Sequence, residues 1–169
     1  MMKHLKMTAL VTPVALLAMW GMFSPAGAIE EFFGAKLRSG NETPATLSTT
    51  GSAVFAAQLN AAETSLVFLL DYTGLEGGTV TGAHIHLGQA GATGGIVIHF
   101  CGTGGKPACP ASPGIVQGTV TANDVVAVSA QGIAAGEFAE VIKAMRKGDT
   151  YVNVHTTTFP SGEVRGQIQ

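Results

Sequence analysis

Charge is scarce in this chain. Asp, Glu, Lys and Arg make up 12% of its 169 residues, and the formal net charge is −2. No basic run or stripe is present, which excludes the electrostatic footprint of a nucleic-acid-binding protein. Cysteine is rarer still, with only Cys101 and Cys109. Two cysteines cannot make a disulfide-dense scaffold. Nucleophile signatures are missing as well: there is no G-x-S-x-G, no free thiol beside a histidine and no H-E-x-x-H. No catalytic residue is therefore assigned. The stretch from Leu87 to Gly95 is glycine-rich but lacks the Lys-Ser/Thr of a phosphate-binding loop, so it reads as a β-turn. Asp71 and Glu76 read as turn and solvent carboxylates, not as an acid–base pair.

Only one long apolar run occurs, Met7 to Phe23, and it lies at the N-terminus. Lys3 and Lys6 precede it and Ala26-Gly27-Ala28 follows, the order of a secretory leader cut after Ala28. The run is short for a membrane span and contains Pro13. Cleavage at that point leaves a mature chain of residues 29–169 with no stable span, exported to the periplasm or beyond the cell. Without Lys3 and Lys6, seven basic residues face 11 acidic ones, a formal charge of −4. In an oxidising compartment, Cys101 and Cys109 are most simply a disulfide across the short loop between them. A metal-binding thiol pair is the alternative, but the spacing fits no standard zinc pattern.

Glycine is plentiful, at 23 residues, and punctuates short alternating segments rich in Val and Thr. Strands are expected at 31–38, 51–59, 64–73, 79–86, 96–101, 114–120, 150–156 and 163–168. The near-continuous apolarity of 64–73 predicts a central strand covered on both faces. Helical signals are confined to Thr121–Gly148. Thr121 and Asp124 have capping-box spacing. Phe138, Val141, Ile142 and Met145 follow helical spacing, and Gly148 suits the position after the helix end. The fold class expected is mainly β: a Greek-key-like β-sandwich with one or two short helices near the C-terminal third.

Chemistry concentrates in three alternating segments: 83–88, 151–156 and 162–168. Their alternation puts Ala83, Ile85, Leu87, Val152, Val154, Val164 and Ile168 on one face. His84, His86, Asn153, His155, Glu163, Arg165 and Gln167 take the other. Histidines at i and i+2 on a strand project about 6.5–7 Å apart at the backbone and can converge on one ion. His155 shares their parity and is the natural third ligand. The donor set is all imidazole, which points to copper ahead of zinc. A solvent-facing or hydrogen-bonded histidine pair is the competing reading. His99 could be a fourth ligand, although an edge position beside the disulfide suits it better. If 156–162 is a hairpin loop, His155 falls opposite Glu163 and Asn153 opposite Arg165. Asn153, Glu163 and Arg165 would then back the metal ligands, with Glu163 orienting His155. An ion-pair and amide scaffold suits the two charged residues, Glu163 and Arg165, better.

These segments carry a resemblance. Phe33-Gly34-Ala35-Lys36-Leu37, Gly40-Asn41-Glu42-Thr43-Pro44 and Gly51-Ser52-Ala53-Val54-Phe55 join the two histidine segments and the closing Gly162-Glu163-Val164-Arg165-Gly166-Gln167. Together they resemble the CHRD (chordin-type) domain almost end to end. The single proline after Glu42-Thr43 departs from the two prolines often seen there, within a loop. The resemblance implies an exported all-β domain and does not itself assign a function; the histidine face makes a non-catalytic binding module for an extracellular or periplasmic ligand the function expected. The H-x-H strand with a later strand histidine is also locally similar to the copper site of Cu/Zn superoxide dismutase. That analogy makes a copper redox enzyme the alternative function. The acidic zinc-loop cluster of the dismutases is not evident in the sequence.

Overall fold

The computed structural model describes residues 30–169. The expected leader and its cleavage point fall outside the described residues. Eight strands form: β1 (Glu31–Arg38), β2 (Ser52–Leu59), β3 (Ser65–Thr73), β4 (Val80–Leu87), β5 (Ile96–Cys101), β6 (Gly114–Thr121), β7 (Thr150–Thr156) and β8 (Val164–Gln167). They make one sheet in the order β5-β4-β7-β8-β1-β2-β3-β6, and every pairing is antiparallel. The mainly-β expectation holds. The two layers of the sandwich are halves of this one sheet, which rolls until it is nearly closed. Each predicted strand matches an observed one to within one residue at either end.

Alternation sets the interior. Phe33, Ala35 and Leu37 of β1, Phe55 and Leu59 of β2, and Leu66, Phe68, Leu70 and Tyr72 of β3 all turn inward. They meet Ile85 of β4, Val97, Ile98 and Phe100 of β5, and Val152 and Val154 of β7. Phe100 stacks on Phe68 with ring centroids 4.2 Å apart and on Phe55 at 5.6 Å. The helix α1 (Phe138–Arg146) closes the core with Phe138, Val141, Ile142 and Met145, the four residues its periodicity nominated. Gly148 follows at φ +72°, a left-handed backbone that favours glycine.

Three expectations are corrected. The strand β3 is covered on one face only: Val67 is 55% exposed and Leu69 38%. They share an open outer face with Phe32, Val54 and Ile115, so apolarity on both sides of a strand did not mean burial on both sides. The Thr121–Asp124 capping box is present, but it starts a three-residue 3₁₀ turn, Ala122–Asp124, and not an α-helix. A second such turn is Ser129–Gln131. A third, Ser39–Asn41, lies outside the window in which all helix was expected. Its Ser39 hydroxyl donates to the Thr49 carbonyl at 2.7 Å, a local bond that competes with strand pairing.

Candidate metal centre

The strands β4, β7 and β8 lie side by side, and β5 flanks β4. Register places His84 opposite Asn153 and His86 opposite Tyr151 across β4–β7, with Gly82 opposite His155. Asn153 stands opposite Arg165 across β7–β8, as the hairpin argument required, and His84 opposite His99 across β4–β5. The polar parity of the three segments is thus gathered onto one patch. It does not face open solvent. His84 is 4% exposed, His86 8%, Asn153 3% and Arg165 3%.

His84, His86 and His155 come together: one nitrogen from each lies within 4.8 Å of the other two. The ring centroids are 5.6 Å apart for His84–His86, 4.9 Å for His84–His155 and 6.1 Å for His86–His155. Hydrogen bonds decide which nitrogens keep a lone pair. The His86 Nδ1–H donates to the Gly94 carbonyl at 2.9 Å, so its Nε2 is bare, and that buried atom has no partner. The His155 Nδ1–H donates to the Pro160 carbonyl at 3.0 Å, and its Nε2 lies at hydrogen-bond distance, 2.9 Å, from the Asn153 Oδ1. His84 is held through Nε2 by the Thr103 hydroxyl at 2.6 Å, and its buried Nδ1 has no partner. Two backbone carbonyls and a hydroxyl therefore orient the rings and leave His84 Nδ1 and His86 Nε2 without partners, while His155 Nε2 is engaged by Asn153. This is the support that metal-binding histidines require.

Electrostatics keep these rings neutral. Burial pushes the His84 pKa down to about 3, helped by the neighbouring His155, His86 and His99. Burial likewise takes His86 down to about 4, against the opposing Gly94 hydrogen bond. His155 is also lowered by burial. Neutral imidazole is the ligating form, so no proton competes for these nitrogens at neutral pH.

A family model for the CHRD domain matches residues 33–168. The chain belongs to the CHRD family. No curated protein and no solved structure shows a significant match. In this CHRD domain the backing residues differ from expectation in one respect. Glu163 does not touch His155. Its carboxylate accepts from the backbone N–H of Glu76 (2.6 Å) and Gly77 (3.0 Å) and from the Thr156 hydroxyl (2.8 Å). The strand β8 begins only at Val164, after Gly162 at φ +126°, so Glu163 leaves the register that would have set it beside His155. Asn153 does reach His155. Arg165 backs the site indirectly: its guanidinium lies 3.4 Å from the Tyr151 ring centroid and donates to the carbonyls of Gln89 and Ala92. That clamp fixes the loop carrying the Gly94 carbonyl.

Several participants in the CHRD site were invisible in the sequence. Tyr151 carried no functional signal there, yet its ring lies parallel to His86 with centroids 4.8 Å apart. Thr103 sits in the disulfide loop, and its hydroxyl bridges His84 Nε2 and His99 Nδ1, the latter at 2.8 Å. His99 stands outside the converging set, linked to it through Thr103. Cys101 and Cys109 are bonded as expected. Glu42 was noted only as part of a motif. It is 7% exposed, its Oε1 has no partner, and burial raises its pKa to about 7 against the lowering influence of Arg165.

Proposed function

We propose that this CHRD domain is an exported, non-catalytic binding module whose His84, His86 and His155 hold a copper ion, with zinc the weaker competitor. The observation that carries the reading is the convergence of three neutral, back-supported imidazoles whose ligand atoms lie within 4.8 Å of one another. Copper–nitrogen bonds of about 2.0–2.1 Å need the nitrogens roughly 3.5 Å apart, so no pair need close by more than about 1.3 Å on binding. Copper ranks ahead of zinc because affinity at nitrogen sites peaks at that metal. Export is supported by the leader pattern of residues 1–28 and by the disulfide. No helix among the described residues is long and apolar enough to cross a membrane.

The test is metal analysis of protein recovered after export, followed by titration of the metal-free protein with Cu(II) and Zn(II). One copper per chain and a preference over zinc are expected. His84→Ala and His155→Ala should each abolish binding, with thermal melting confirming that the variants fold. Equal binding by wild type and both variants would place the metal elsewhere. No binding of copper in either oxidation state by wild type would leave the histidines as scaffold. Superoxide loss measured on the copper-loaded samples should not exceed that of free copper; a copper-dependent rate lost in His84→Ala would favour a redox enzyme instead.

A further inference from the structure

Resting on the copper reading, the geometry points to a site selective for the cuprous ion, Cu(I), over Cu(II) and over Zn(II). Three features of the pocket lead there: its donors, its charges and its closure.

The converging donors are three neutral imidazoles, and among the described residues no carboxylate or thiolate joins them. Both thiols are consumed in the Cys101–Cys109 disulfide. The Glu163 carboxylate is engaged by two backbone N–H groups and the Thr156 hydroxyl. The Glu42 carboxylate lies against Gly162, where a Cβ would come within 2.6 Å of its Oε1. An incoming cation therefore meets no anion among its ligands.

A fixed positive charge, the wrong sign for a divalent ion, lies beside the site. Arg165 is buried on the Tyr151 ring, which stacks on His86. Among the described residues Arg165 has no ion-pair partner within 4 Å. The cost of burying an ion grows with the square of its charge, so a divalent ion is penalised several-fold more than a monovalent one here.

Coordination number points the same way. Cu(II) seeks four or more ligands in a tetragonal array, and zinc sites are almost always four-coordinate. The pocket supplies three nitrogens and is shut on most sides, since His84, His86, Tyr151 and Asn153 are each less than 9% exposed; only half-buried His155 opens toward solvent. Cu(I) is d¹⁰, imposes no planar geometry, and is satisfied by three neutral nitrogens.

The experiment is anaerobic competition for Cu(I) between the full chain and a coloured cuprous chelator, set beside calorimetry with Cu(II) and Zn(II). One Cu(I) per chain is expected, held at least about 100-fold more tightly than either divalent ion, and lost in His86→Ala. Arg165→Gln should narrow the Cu(I)/Cu(II) ratio by raising Cu(II) affinity. Arg165→Lys keeps the charge without the planar fork and should preserve the ratio, which separates charge from the loop clamp. Cu(II) bound as tightly as Cu(I), still histidine-dependent, would overturn this selectivity and leave the copper reading intact. An unchanged ratio in Arg165→Gln would overturn the charge argument. Binding of none of the three ions would remove both.

Discussion

Gly82 has no side chain, and the His84 imidazole occupies the space it leaves: a Cβ there would lie 2.9 Å from both Cε1 and Nε2 of that ring. Gly82→Ala should therefore tilt His84 away from Thr103 and from its two partners. Copper affinity is expected to fall by roughly tenfold or more, the equivalent of about 1.4 kcal/mol or above. The melting temperature should change little, because the ring can shift without moving backbone. Unchanged affinity in a folded Gly82→Ala would argue against the observed placement of His84. Glu42 supplies a second residue-scale prediction. Its folded pKa of about 7 stands above the ordinary 4.5. Between those values the folded chain keeps a proton that the unfolded chain releases, so this residue's contribution to stability falls as pH rises and flattens above about 7. The depressed pKa values of the buried histidines act in the opposite sense, but they are common to wild type and Glu42→Gln and cancel in the comparison. The stability of Glu42→Gln relative to wild type should rise from pH 4.5 to 7 in denaturant titrations. A difference independent of pH would mean that Glu42 ionises as freely folded as unfolded.

Among the elements, the disulfide loop does two jobs. Its closure constrains the unfolded chain, a contribution of about 2–3 kcal/mol for a loop this short. It also carries Thr103, whose hydroxyl holds His84 at 2.6 Å. Gly102 and Gly104 adopt φ of +78° and +62°, and the latter lies flat against the His99 ring, where a Cβ would meet Cδ2 at 2.4 Å. Reduction of Cys101–Cys109 in the folded protein is expected to weaken copper binding as well as lower stability, and Thr103→Val should weaken binding with the disulfide intact. Equal affinity in oxidised and reduced protein would confine the loop to a structural role. Strands were legible because Val- and Thr-rich alternation is local, and the His84, His86 and His155 parity followed directly from it. The covering loops were not legible. Whether Gly94, Pro160 or Thr103 reaches a histidine depends on turns whose course is set by glycine backbone and by Arg165 reaching across to Gln89 and Ala92. No periodicity encodes that. The same gap explains Glu163, whose parity was right on paper but which stands outside β8 once Gly162 turns the chain. It also explains β3, where Val67 and Leu69 read as buried and lie on the open face.

At the scale of the whole molecule, a nearly closed sheet presents an apolar interior and one polar patch on its outer side, roofed by loops. Neither the core nor the fold needs the histidines: the interior is filled by Phe55, Leu66, Leu70, Ile85 and their neighbours. A buried polar cluster with two unpartnered ring nitrogens is costly unless it serves a ligand. The exported state belongs to the same account, and N-terminal sequencing of secreted protein should begin at Ile29; a cytoplasmic chain retaining Met1 would contradict it. The most direct measurement of the central claim is X-ray absorption at the copper edge on protein loaded with one equivalent of copper. The expected result is a shell of nitrogen at about 2.0–2.1 Å with the multiple scattering of three imidazoles and no sulfur, reduced to two in His155→Ala. A shell of oxygen with one imidazole or none, unchanged by that substitution, would contradict it.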